Sequence, residues 1–212
     1  MTANRQHLPR LYLVTSGREH TDAAGLALRQ AEAIGASGPV VFQLREKGLE
    51  TARLYDLAQR IRPLLEQSGS PLLVNDRADI AMASGADGVH LPESSCPADS
   101  IRKAFPGLLA GKSVHSVQSA MDAAKSGVHY LLFGPVFATP SKARFGAPQG
   151  LEKLEQVCRA VPIPVFAVGG ITPEKSFACI ERGAWGIAAL APFLDPGALS
   201  TTLETYRSYM PI

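Results

Sequence analysis

The chain is poor in the residues and runs that mark several protein classes. Its 212 residues include only three cysteines, Cys96, Cys158 and Cys179, and none forms a Cys-x-x-Cys pair. An odd count without metal-ligand spacing argues against a disulfide framework or a zinc knuckle, and predicts buried, reduced thiols. No apolar run approaches the roughly 20 residues that span a bilayer, and Met1–Arg10 lacks the apolar core of a signal peptide. Both absences point to the cytoplasm and away from a membrane partner. A formal charge of +2 with no basic run leaves no electrostatic footprint for nucleic acid. Gly-x-Ser-x-Gly is missing, so no nucleophile elbow is present. No linker or low-complexity tract divides the chain. What remains, 46% hydrophobic and 19% charged, is the composition of an ordinary globular domain.

The most informative stretch is Val41-Phe42-Gln43-Leu44-Arg45-Glu46-Lys47. A strand points alternate side chains to one face, so Phe42 and Leu44 share one side while Gln43, Arg45 and Lys47 share the other. A buried strand carries such a row where its end lines a wet, anion-binding mouth, because unpaired buried charge is costly. The competing reading is an exposed edge strand with solvated cations.

Short β-rich segments recur at Leu11–Val14, Val40–Arg45, Leu72–Asn75, Gly88–Leu91, Leu109–His115, Tyr130–Gly134, Pro164–Gly169 and Gly186–Leu190. Helical stretches are expected at Ala23–Ile34, Glu50–Gln67, Val117–Lys125, Gly150–Arg159 and Pro173–Arg182. Thr172-Pro173 and Asp195-Pro196 each set a capping residue before a proline suited to the first helical position. Gly35, Gly69, Gly85, Gly127 and Gly183 fit left-handed helix ends. Strands alternating with helices require parallel pairing with right-handed crossovers. At this length they close most economically as a single α/β domain, a compact (β/α)8 TIM barrel over 1–212, with residues 1–10 as a flexible lead-in. An open doubly wound sheet is the runner-up, disfavoured because Thr15-Ser16-Gly17 stands where GxGxxG would follow the first strand.

Sites in such barrels form at the C-terminal strand ends, and polar residues collect there. They are Arg45-Glu46-Lys47, Asn75-Asp76-Arg77, Ser113-Val114-His115, Thr139-Pro140-Ser141-Lys142, Gly169-Gly170 and Leu190-Ala191. Gly169-Gly170 runs into a helix whose free N–H groups suit a phosphate. Arg45, Lys47, Lys142 and the hydroxyls of Thr139 and Ser141 make a second anion site. The Pro- and Gly-rich segment from Ala138 to Gly150 reads as a functional lid. His90 and His115 lie at strand ends without metal-ligand spacing, and His90 fits a hydrogen-bonded core position as well as a functional one. His7, His20 and His129 read as surface groups.

These motifs resemble the thiamine phosphate synthase family, including its thiazole-tautomerase branch. The likeness rests on Leu11-Tyr12-Leu13-Val14-Thr15, Gln43-Leu44-Arg45-Glu46-Lys47, Val74-Asn75-Asp76-Arg77 and Ala86-Asp87-Gly88-Val89-His90-Leu91. It continues through Phe133-Gly134-Pro135-Val136-Phe137, Thr139-Pro140-Ser141-Lys142 and Val168-Gly169-Gly170-Ile171. The resemblance implies an enzyme that joins a hydroxymethylpyrimidine diphosphate to a thiazole phosphate, giving thiamine monophosphate and pyrophosphate with Mg2+. It also implies that Gln43, Arg45, Lys47, Asn75 and Lys142 hold the diphosphate and pyrimidine, with Ser113 contacting one or the other. Arg45, Lys47, Lys142 and Ser113 would form the catalytic set, and Asp76 would hold the metal. Thr139, Ser141 and the Gly170 backbone would engage the thiazole phosphate, beside Leu190 and Ala191.

The chain departs from the family pattern at three places. Ser95 occupies the position of a second metal-binding aspartate, leaving Glu93 or Ser95 itself to complete the site. Ala191 replaces a serine beside the thiazole phosphate. Pro92 in Leu91-Pro92-Glu93 matches the tautomerase branch, yet Pro135 stands where that branch has a catalytic histidine, so His115 or His90 would have to serve. The alternatives to synthase are therefore a thiazole tautomerase and a non-catalytic ligand-binding regulator.

Overall fold

A strand buried on both faces needs apolar residues on one side and a packed interior on the other, and this chain solves that demand by closing its sheet. The computed structural model describes residues 8–16, 22–139 and 147–210. Its eight strands form a closed parallel barrel in sequence order. They are β1 (Leu11–Val14), β2 (Val41–Leu44), β3 (Leu72–Asn75), β4 (Gly88–Leu91), β5 (Leu109–Val114), β6 (Tyr130–Phe133), β7 (Val165–Val168) and β8 (Gly186–Ala189). Closure is made where Leu11, Tyr12 and Leu13 pair with Ile187, Ala188 and Ala189. The helices are α1 (Ala23–Gly35), α2 (Thr51–Glu66), α3 (Ala78–Ser84), α4 (Ala98–Ala104), α5 (Val117–Lys125), α6 (Gly150–Ala160), α7 (Pro173–Glu181) and α8 (Leu199–Ser208), with a 3-10 turn over Ala191–Phe193 after β8. The sequence expectation of a (β/α)8 barrel is met, and the open sheet is excluded.

Two apolar layers hold it. Outward residues such as Phe42, Leu44, Val74 and Leu131 pack against the helices, while Tyr12, Val41, Leu73, Tyr130, Leu132, Phe166 and Ala188 fill the barrel interior. The alternation in β2 is therefore as expected, with Gln43 on the inner face. The strand ends at Leu44, so Arg45 and Lys47 lie on the segment that leaves it, and the edge-strand reading fails because β2 pairs with both β1 and β3.

The inner layer leaves no slack. At Gly111, paired with Tyr130 across β5 and β6, an added Cβ would fall inside the Tyr130 ring. Gly111→Ala is expected to lower unfolding stability by about 1–3 kcal/mol through overpacking, readable as a shift of the urea midpoint. A stability equal to the native protein would show that Tyr130 has room to move.

Several local expectations are corrected. Gly35 is not a left-handed helix end; it closes α1, where a Cβ would sit 2.7 Å from the Leu64 carbonyl oxygen, so it serves the close approach of α1 and α2. The left-handed residue after that helix is Gly38. Asp195-Pro196 does not open a helix: Asp195 Oδ1 accepts from Gly197 N at 2.9 Å in a turn, and α8 starts at Leu199. Thr172 does stand at the N-cap of α7 with Pro173 behind it, but its side chain caps no backbone N–H. Cys96 is exposed, Cys158 half-buried and Cys179 buried, and none of the three is in a disulfide; burial raises the Cys179 thiol to about 12, with Cys158 adding to it. His129 is not a solvated surface group. It is half-buried, its Nε2 is 2.6 Å from Arg102 Nη1, and burial and Arg102 both lower its pKa.

Candidate active site

The C-terminal end of the barrel gathers polar groups from six strands. Behind Arg45, the end of β1 clamps the end of β2: Thr15 N donates to Gln43 O at 3.0 Å, and Arg45 N donates to Thr15 Oγ1 at 2.8 Å. Burial lowers the Arg45 pKa, partly offset by Glu46. Its positive charge is felt at His90 inside the barrel, whose pKa it helps to lower. Lys47 lies two residues further on, in an exposed turn.

Beneath the mouth runs a chain of polar side chains. Gln43 Nε2 donates to Asn75 Oδ1 at 3.0 Å, and Tyr12 Oη donates to Gln43 Oε1 at 2.9 Å. The Tyr12 and Tyr130 hydroxyls are 2.9 Å apart, His90 Nδ1 is 3.0 Å from Tyr130 Oη, and His90 Nε2 is 2.8 Å from Ser113 Oγ. The rings pack as well: His90 stacks on Tyr130 at 5.8 Å, and Phe166 meets both tyrosines edge-on at 5.4 and 5.7 Å. Buried polar groups in an apolar interior need such partners. Burial drives the His90 pKa down to about 3, with Arg45 and Lys112 adding to the effect, so His90 is neutral near neutral pH. Both tyrosine pKa values are raised, chiefly by burial.

Asp76 follows β3 with φ of 57°, the left-handed region that a residue with a side chain adopts at a cost. Its N–H donates to the His90 carbonyl at 2.9 Å. Among the described residues its exposed carboxylate takes one hydrogen bond, from Ser95 Oγ at 2.5 Å. Glu93 Oε2 lies 3.8 Å from His115 Nε2, while His115 Nδ1 is 2.5 Å from Gly134 O. Arg77 turns away to a forked ion pair with Asp79 at 2.7 Å. No group of three or more His, Cys, Asp or Glu side chains with metal-site geometry is present among the described residues.

On the opposite side of the mouth, Gly169 and Gly170 take φ of 100° and 64° before α7. A Cβ on Gly170 would collide with the Ala138 carbonyl, so glycine is required both by conformation and by contact. The loops after β6 and β7 are laced together by Val136 N to Val168 O at 2.9 Å and Phe137 N to Gly169 O at 3.0 Å. Thr139 is half-buried beside them, and Leu190 and the exposed Ala191 follow β8. Ser141 and Lys142 lie outside the described residues, as do His7 and His20.

Of the residues expected from sequence, the structure joins Gln43, Asn75 and Ser113 through one hydrogen-bond chain, pairs Asp76 with Ser95, and sets Gly170 against the segment that carries Thr139. It sets Glu93 beside His115. Tyr12 and Tyr130, which connect Gln43 to His90, were not singled out. A signal existed: a tyrosine on the inner face of a buried strand must find a partner for its hydroxyl.

The closed (β/α)8 barrel thus sets Arg45, Asp76 and a glycine-rich helix start at the C-terminal strand ends, where enzymes of this fold carry their sites. Residues 11–193 match the family model described as thiamine monophosphate synthase, and the chain belongs to that family. It is 39% identical over 203 residues to the thiamine-phosphate synthase of Methanoculleus marisnigri, covering 93% of both chains. To the thiamine-phosphate synthase of Chloroflexus aurantiacus it is 37% identical over 203 residues, covering 96% of this chain and 93% of the other. The solved thiamine phosphate pyrophosphorylase from Pyrococcus furiosus superposes with a TM-score of 0.81 at 29% identity, covering 97% and 96% of the two chains. The resemblance seen in the sequence motifs is thereby established, and the chain is an enzyme of this type.

Proposed function

We propose that the chain joins a pyrimidine diphosphate to a thiazole phosphate. The carbon–oxygen bond to the diphosphate breaks, the electron pair leaves with pyrophosphate, and the thiazole nitrogen forms the new bond to the pyrimidine methylene carbon. Nothing is oxidised or reduced. The observation that carries this reading is the arrangement of two corners at the C-terminal strand ends, Arg45 and Asp76 after β2 and β3 and the left-handed Gly169–Gly170 turn before α7, each of which suits an anion or its counter-ion. A substrate pair with one diphosphate and one phosphate matches that division.

In this reading Arg45, Lys47 and Lys142 bind the diphosphate and stabilise the charge that grows on it as it departs. Gln43, Asn75 and Ser113 orient the pyrimidine. The Gly170 backbone with Thr139 and Ser141 holds the thiazole phosphate at the positive end of α7, next to Leu190 and Ala191. Mg2+ belongs to the same reading. Asp76 offers an exposed carboxylate whose hydrogen bond among the described residues comes from a single hydroxyl, which suits an ion that takes one or two carboxylates and draws its remaining ligands from phosphate and water. When bound, the ion neutralises charge on the diphosphate oxygens. Ser95 supports Asp76 rather than replacing the missing carboxylate, and Glu93 is engaged with His115.

Isomerisation of a thiazole carboxylate finds less support, because both ring nitrogens of His90 are already engaged inside the barrel. The decisive assay follows pyrophosphate release and thiamine monophosphate formation with each substrate alone and with both. Product only with both substrates and Mg2+ is the expected outcome. A protein that converts the thiazole tautomer but forms no thiamine monophosphate would overturn it.

A further inference from the structure

A row of hydroxyls, amides and an imidazole has two self-consistent directions, because each hydroxyl has one proton and a neutral imidazole has one N–H. The orientation of Gln43 selects one. Its Oε1 accepts from Tyr12, so the Tyr12 proton is committed there and Tyr12 Oη must accept from Tyr130. With its own proton spent, Tyr130 Oη accepts from His90 Nδ1–H, and the lone pair left on Nε2 accepts from Ser113 Oγ–H. At the other end, Gln43 Nε2 uses up the Asn75 oxygen, leaving the Asn75 amide N–H groups for the pocket.

We infer that Ser113, His90, Tyr130, Tyr12, Gln43 and Asn75 form one directional chain that fixes how Asn75 and Ser113 face the substrate, with Tyr12 and Tyr130 acting as positioning residues. The pocket then shows a donor at Asn75 and a hydroxyl lone pair at Ser113, and the two are coupled across the barrel. It selects a ligand that presents an acceptor to the first and an N–H or O–H donor to the second. Reversing the chain would invert both ends together. The groups are held for this: His90, Gln43 and both tyrosines are at most 2% exposed, so water does not decouple the links. An imidazole with one N–H and one lone pair lets its two nitrogens play opposite parts toward Tyr130 and Ser113.

The test reads the tautomer of His90 by nitrogen NMR of its imidazole in the intact protein. The native chain is expected to show the Nδ1–H form. In Tyr12→Phe the Tyr130 hydroxyl loses its acceptor and turns to donate to His90 Nδ1, moving the imidazole proton to Nε2. Tyr130→Phe removes the acceptor of Nδ1–H altogether and gives the same switch, so either variant suffices if the other does not fold. Ser113→Ala should keep Nδ1–H. Because these contacts hold substrate equally before and during reaction, KM for the pyrimidine diphosphate should rise about tenfold in Tyr12→Phe with little change in kcat. An Nε2–H native tautomer, or an Nδ1–H tautomer persisting in both tyrosine variants, overturns the inference. The kinetic arm rests on the synthase reading, whereas the tautomer arm holds or fails without it.

Discussion

Replacing Arg45 with alanine is expected to lower kcat/KM by about 10²–10³-fold, the loss typical when a donor to developing negative charge is removed. The expectation rests on where the side chain sits. Its backbone is pinned by Thr15, burial presses on its charge, and that charge is felt at His90 inside the barrel. A guanidinium also offers two parallel N–H donors to a diphosphate, which an ammonium does not. Arg45→Lys should therefore recover part of the rate and leave the rest unrecovered. Thermal unfolding of both variants, run beside the kinetics, separates a lost contact from a lost fold. A kcat/KM for Arg45→Ala within about threefold of the native value, well short of the effect above, would remove Arg45 from the diphosphate site.

Asp76→Asn is expected to raise the Mg2+ concentration needed for half-maximal rate by about tenfold or more, the scale of one lost charge–charge contact near a surface. Asparagine is the informative replacement because it tolerates the left-handed backbone that Asp76 occupies at φ of 57°. Alanine there would add a backbone penalty of about 1–2 kcal/mol and confuse strain with charge. Thiazole phosphate binding should be untouched, since that ligand is assigned to the β7 corner. Glu93→Gln, in the same titration, should leave the Mg2+ requirement as it was, because its carboxylate faces His115 at 3.8 Å. Native Mg2+ dependence in Asp76→Asn would show that the ion is held by substrate alone.

The strands were legible in the sequence to within a residue or so, since four-residue apolar runs bounded by Gly, Pro and Asp leave little choice. Helices α1, α2, α5, α6 and α7 were as clear, while α8 was expected only through a start at Asp195-Pro196, ahead of its first residue Leu199. Helices α3 and α4, seven residues each, were not, because two turns carry too little periodicity to register. The site was legible as a set of strand ends but not as a set of contacts. Asn75 and Asp76 were marked, yet nothing local showed that Ser95 would bond Asp76 while Glu93, two residues away, would turn to His115. That choice depends on the turn after β4, whose residues carry no strong conformational preference beyond Pro92.

By itself, then, the amino-acid order determined the repeating strand–helix unit, the two faces of β2, and the placement of Arg45, Asn75, Asp76, Ser113 and Gly170 at C-terminal strand ends. Those follow from periods of 2 and 3.6 and from turn chemistry, which are properties of short windows. Tertiary structure alone decided which inward side chains meet. Tyr12 and Tyr130 are 118 positions apart, and they touch because closure of β1 on β8 curls the sheet until inner residues of different strands share one layer. In that apolar layer each hydroxyl must find a partner, so a tyrosine that looks like core packing in the sequence becomes a link between His90 and Gln43.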